Sequence, residues 1–358
     1  MPILAPVLLS LVLVGQPAAE QKPKASSPAK SVKFSVLRSL KAGGEGGWDY
    51  LALDPKGARI YVPRSTRVMV LDLDGNVKGE IPNTPGVHGV AFARELDRGF
   101  TSNGRANTMT VFKLYTLEVV KEVKTTGENP DAILYDPATR QVFTFNGRGK
   151  NATVFNADTL EVTATIPMGG KPEFAACDGK GRVFVNVEDT HELLAIDAHA
   201  RTVTSRWSLK PLEEPTGLAM DAAHQVLFAV GGNKLMAVVD AENGRVLQTL
   251  PIGEGCDGAA FDPTTGFVYA SNGEGTLTVV RSDGPKHYAV AATVPTHKGA
   301  RTLVVDEQTH LIYLPTADFG PAPEAKAGQP VQPVQPVQRS RPPMLPGTFQ
   351  LVVVGEAH

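Results

Sequence analysis

Apolar positions along this chain come in short bursts separated by turn residues, with no sustained helical period. An apolar run closes on Asp-Pro or a relative, a turn follows, and a second run rich in Val, Phe and Tyr begins. The pattern reads LALDPKGARIYV from Leu51, VAFARELDRGFTSN from Val90, ILYDPATRQVFTFN from Ile133 and AACDGKGRVFVNV from Ala175. It continues as LAMDAAHQVLFAV from Leu218, AAFDPTTGFVYASN from Ala259 and LVVDEQTHLIYLP from Leu303. The residues that anchor the pattern are Asp54, Ala93, Asp136, Asp178, Asp221, Asp262 and Asp306, spaced by 39, 43, 42, 43, 41 and 44 residues. Short strands repeating at about 40–45 residues are the mark of a β-propeller, one four-stranded blade per repeat.

Each repeat carries two further strands. In the third they are NATVF from Asn151 and EVTATI from Glu161; in the fifth, KLMAVVD from Lys234 and RVLQTL from Arg245. Their connections, NADTL and AENG, have the chemistry of tight hairpins. Both faces of a blade pack on neighbours, which explains near-continuous apolar strands. Two residues before each anchor stand Ala52, Ala91, Leu134, Ala176, Ala219, Ala260 and Val304, mostly small, as suits strands converging on an axis. The seventh repeat has only three strands, Thr302–Val305, Leu311–Leu314 and Phe349–Val354. Phe34–Leu40 is unused and can supply the fourth. The fold expected is all-β: a seven-bladed propeller over residues 32–358, its ring closed by the N-terminal strand so that no blade is a strand short.

Composition adds the flanking segments. Of 358 residues, 35 are Gly and 28 Pro, and these fall between the apolar runs. Pro2–Val14 is almost wholly apolar and is followed by QPAAE, which reads as a signal peptide over 1–19, cut after Ala19. The run is short for a membrane span. The expectation is a periplasmic or secreted protein with no span in the mature chain. Residues 20–31 form a flexible leader. Residues 319–347, rich in Pro and Gln, form an inserted loop in the last blade with polyproline character. The formal charge is −2, and no basic stripe appears, which argues against nucleic acid as a partner. A monomer is expected.

The Asp-Pro turns followed by IYV, VYAS or VFTFN, and the TVF and TLTVV strands, resemble the YVTN repeat of bacterial YncE-like propellers. The resemblance spans about Phe34 to Val354, and GGWDYLALDP, TGENPDAILYDP and FTFNGR resemble one subgroup. It implies a seven-bladed ring and an exported location. It brings no catalytic residue, because the family has no agreed chemistry. The paired GH and WD signatures of WD40 repeats are absent.

The register also locates candidate chemistry. In a propeller, the connections that open the inner strand and those that follow the second strand share one face, around the channel mouth. Five residues before the anchors stand Asp49, His88, Asp131, Glu173, Thr216, Asp257 and Arg301. Six of the seven are ionisable against a charged background of 20%, so the position selects a polar ring. Carboxylates with one imidazole suit a divalent metal ion, for which Asp49, His88, Asp131, Glu173 and Asp257 are the candidate ligands. Acid–base work on a small polar ligand, with Arg301 clamping an anion, fits the same set. So does a hydrated mouth in which these groups only cap loops.

Second-strand ends add Arg64, Asn103, Asn146, Asn233, Lys234, Asn272, Glu274 and Asp318. Two NGR triplets place Arg105 and Arg148 in adjacent blades. Asn-Gly is first a turn signal, but the arginines could form a basic lip for a carboxylate, sulfate or phosphate. Trp48 could stack on a ligand or be buried between blades. Two functions remain open: a non-enzymatic scaffold that binds a small molecule, an ion or a partner protein on this face, and a metal-assisted hydrolase, lactonase or lyase built on the acidic ring.

Overall fold

The computed structural model describes residues 33–54, 56–321 and 342–357. The signal segment, the leader and the centre of the Pro/Gln insertion lie outside the described residues. Seven four-stranded antiparallel sheets follow one another around a ring. Their innermost strands are Ala52–Asp54, Val87–Ala93, Pro130–Asp136, Pro172–Cys177, Pro215–Asp221, Cys256–Phe261 and Val304–Asp306. The seventh sheet pairs Val304–Asp306, Leu311–Thr316 and Gln350–Glu356, then takes Phe34–Lys41 as its outer strand. That closing strand runs antiparallel to its partner from Phe34 opposite Glu356 to Lys41 opposite Gln350. It extends one residue beyond the expected Leu40.

The recurrent Asp of the repeat builds the turn between the first two strands. Asp178 Oδ1 accepts from the backbone N–H of Lys180 at 2.8 Å and of Arg182 at 3.0 Å. Asp221, Asp262 and Asp306 serve their own turns in the same manner. Such a side chain mimics a backbone acceptor and holds the chain in a reversal. The second blade has Ala93 instead of Asp. There the turn is a 3-10 segment, Arg94–Leu96, and the Arg94 guanidinium crosses to Asp54 of the first blade.

Seven apolar clusters fill the seven seams between adjacent blades. The small residues ahead of the anchors, such as Ala52, Ala176 and Ala219, pack into these seams. Arginines at the start of second strands add polar staples. Arg59 Nη1 reaches Leu114 O at 2.9 Å, Arg182 Nη1 reaches Ala241 O at 3.0 Å, and Arg98 reaches Ala157 O, each on the following blade.

The closing seam has its own clasp. Arg64 is fully buried. Its guanidinium lies 3.9 Å from the centre of the Phe349 ring and donates to the carbonyls of Gly43, Gly44 and Gly46 at 2.8–3.1 Å. The glycine-rich link from the closing strand to the first blade is thereby tied to the last blade. Burial, with some help from Arg67, pulls the Arg64 pKa down to about 10. The ends of the insertion meet as a short stem, where Phe319 bridges Met344 and Gly320 N donates to Pro343 O at 2.8 Å. Among the described residues, no helix is long and apolar enough to cross a membrane.

Candidate functional site

The polar ring forms because the top of the inner strand is bulged. Strand pairing skips between Val87 and Gly89, Pro130 and Ile133, Pro172 and Ala175, Pro215 and Leu218, and Cys256 and Gly258. His88, Asp131, Glu173, Thr216 and Asp257 sit in these skips. A bulge frees its extra residue from the pleat and re-aims the side chain. In the first and seventh blades the inner strand begins only at Ala52 and Val304, so Asp49 and Arg301 precede regular pairing. The freed carbonyls find donors across the seams: Asn186 Nδ2 reaches Thr216 O at 2.9 Å, Ser271 Oγ reaches Arg301 O at 2.6 Å and Thr302 Oγ1 reaches Asp49 O at 3.1 Å. Buried backbone acceptors without such donors would be costly.

Five of the ring residues form one continuous chain of charge contacts. Asp257 Oδ2 receives Arg301 Nε at 2.7 Å, and Arg301 Nη2 stands 3.8 Å from Asp49 Oδ1. Asp49 Oδ2 is 2.6 Å from His88 Nδ1, which is 3.6 Å from Asp131 Oδ1. Burial disfavours charge on the imidazole, but the hydrogen bond to Asp49 and the charges of Asp131, Asp49 and Glu173 outweigh it, and the pKa rises to about 9. Burial pushes the Asp131 carboxyl up, against the pull of His88. Burial likewise raises Glu173, with Asp131 adding to it and Lys171 opposing. Glu173 Oε1 is 2.5 Å from Lys171 Nζ.

Tyr50 is a member of this site that sequence reasoning missed. Its hydroxyl donates to Glu173 Oε2 at 3.1 Å, and its ring meets Phe174 edge-on at 4.9 Å. These contacts join the first blade to the fourth, across the ring axis. The aromatic pair therefore lies in the channel just beneath the polar ring. The sequence signal was faint: an aromatic following the ring acid, Tyr50 in the first repeat and Phe174 in the fourth, where the other repeats carry Gly, Ala or Thr.

Two cavities open on this face. One, of about 450 Å³, lies over the first three blades and is lined by Asp49, His88, Arg105, Asn107, Asn129 and Arg148. The other, of about 700 Å³, is lined by Trp48, His297, Lys298, Arg301, Phe319 and Met344. Trp48 is only 8% exposed and packs against Phe349 and Phe319 in the closing seam, with an edge on both cavities.

The NGR triplets divide their labour. Asn103 Nδ2 donates to Thr108 and Thr110, and Asn146 Nδ2 donates to Asn151 and Thr153, so both fix hairpins. Asn272 does the same in the sixth blade. Arg105 and Arg148 are exposed at the first cavity, and no side-chain hydrogen bond or ion pair joins either guanidinium to another described residue. Asn233 caps Pro211 O, and Glu274 accepts from Thr276. Cys256 and Cys177 are free thiols. Burial holds both thiols well above the usual range, and Cys256 is packed in the seam between the fifth and sixth blades.

Fold and site together define a seven-bladed β-propeller with a charged channel mouth. No protein-family model matches the chain, and no curated protein matches it. Among solved structures it is similar to a chain of hydrazine synthase from Kuenenia stuttgartiensis, with a TM-score of 0.66 at 13% identity. The match covers 82% of this chain and 96% of that one. At that identity the likeness concerns the fold.

Proposed function

We propose that this chain is an exported propeller of the YncE-like kind that binds a small anionic ligand in the cavity over its first three blades. The observation that carries the reading is the pair of guanidiniums, Arg105 and Arg148, that no other described residue engages, on a cavity of about 450 Å³. That volume suits a sugar acid or small polycarboxylate. Arginine forks recognise carboxylate, sulfate and phosphate in two-point fashion. By contrast, several groups suited to acid–base work are engaged with one another: Asp257 with Arg301, Asp49 with His88, Glu173 with Tyr50 and Lys171. This favours a binding scaffold over an enzyme. The family reading rests on the YVTN-like repeat residues, and the export reading on the apolar Pro2–Val14 run before Ala19. The rival reading, a metal-assisted hydrolase, lactonase or lyase, requires an ion among the ring carboxylates.

Calorimetry with glucuronate, citrate and sulfate tests the proposal. At least one should bind with a submillimolar Kd. Arg105→Ala and Arg148→Ala should each weaken it about tenfold, about 1.4 kcal/mol, with thermal unfolding unchanged. If none of the three anions binds at millimolar concentration, or if both variants bind as the parent does, the reading fails.

A further inference from the structure

Two residues that line the same cavity, Asp49 and His88, belong to a second cluster of charged groups. Asp49, His88 and Asp131 come from three successive blades, and one ligand atom from each lies within 4.8 Å of the others. His88 Nδ1 faces both carboxylates, at 2.6 Å from Asp49 Oδ2 and 3.6 Å from Asp131 Oδ1. A single N–H can serve only one of them, and Asp49 has it. Asp131 is only 8% exposed, and its Oδ1 is buried with no hydrogen-bond donor. Burying a carboxylate oxygen without a donor is costly.

The geometry points to a divalent cation site formed by Asp49 Oδ2, His88 Nδ1 and Asp131 Oδ1. An ion in place of the Nδ1 proton would satisfy all three atoms at once. One imidazole nitrogen with two carboxylate oxygens is a mixed donor set suited to Zn²⁺ or Mn²⁺. Ligand atoms around a tetrahedral Zn²⁺ at about 2.0–2.2 Å stand about 3.4 Å apart. The His88–Asp131 spacing is already there, and the Asp49–His88 pair needs to open by under about 1 Å. Asp49 and His88 also line the cavity. This site does not depend on the anion reading, since it uses neither arginine.

Full-length protein dialysed against chelator and titrated with Zn²⁺ alone tests it, by calorimetry and elemental analysis. One ion per chain is expected. His88→Gln and Asp131→Asn should each weaken binding by more than about tenfold, the least that even a supporting residue around a metal costs. Glu122→Gln, exposed on an outer strand, should bind as the parent does. Bound Co²⁺ gives a second readout: a visible absorption band in the parent that disappears in His88→Gln, with each variant's cooperative melting confirming that it is folded. Absence of stoichiometric Zn²⁺, or binding that survives in both ligand variants, overturns the site. Arg105→Ala and Arg148→Ala should retain the ion, so loss of anion binding and loss of metal binding are told apart.

Discussion

Gly104 stands where any side chain would collide with the site. A Cβ built there comes within 2.6 Å of His88 Nε2. The sequence marks this residue only as the second half of an Asn-Gly turn, yet its smallness leaves room for the His88 imidazole. Gly104→Ala should turn His88 away from Asp49 at a cost of about 1–3 kcal/mol of overpacking. Urea unfolding and the shift of the His88 ring resonances in an NMR spectrum check this; unchanged stability with unchanged resonances would refute it. The ring itself was legible residue by residue, because blade length fixes the register that brings Asp49, His88 and Asp131 together. Tyr50 was not, because its partner Glu173 lies 123 residues away on the opposite side of the ring, and no local pattern encodes such a pairing. Nor could spacing reveal that Arg64 faces inward onto three glycine carbonyls while no described residue engages the guanidiniums of Arg105 and Arg148.

Within a blade, the first hairpin depends on its Asp. Burial would raise the carboxyl of Asp178, but the N–H groups of Arg182 and Lys180 and the Arg182 guanidinium hold it below its usual value. A carboxyl depressed in the folded state stabilises the fold above its unfolded pKa, about 3.9, and that contribution is lost as pH falls through the folded value. Asp178→Ala should therefore cost about 1–3 kcal/mol at neutral pH, and the gap to the parent should narrow on acidification below about pH 4. Denaturant titrations across that range measure the gap; one that stays constant would sink the assignment. The strands were readable from their apolar runs. The bulges that aim the ring were not, because a skip in pairing depends on the partner strand as much as on the residues that skip.

Across the whole molecule, closure is made by the first described strand and the last. Phe34 lies edge-on to Phe267 and Tyr269 of the sixth blade, so Phe34–Lys41 seals a seam as well as an edge. A chain beginning at Ala42 leaves Gln350–Glu356 unpaired on one side. Such an edge recruits strands from other copies. Self-association and a lowered melting temperature are expected, read by light scattering and calorimetry; a stable monomer melting like the parent would contradict this. Closure was legible in the sequence because the seventh repeat is short by one strand and Phe34–Leu40 was the apolar segment left over.

Tyr50 and Phe174 tie the first blade to the fourth across the axis, so the disc is braced on a diameter as well as around its circumference. Each follows a ring acid in the chain, Asp49 and Glu173, so a shift of either wall is handed directly to the charged groups. Arg105 and Arg148 stand outside that brace, on the cavity over the first three blades.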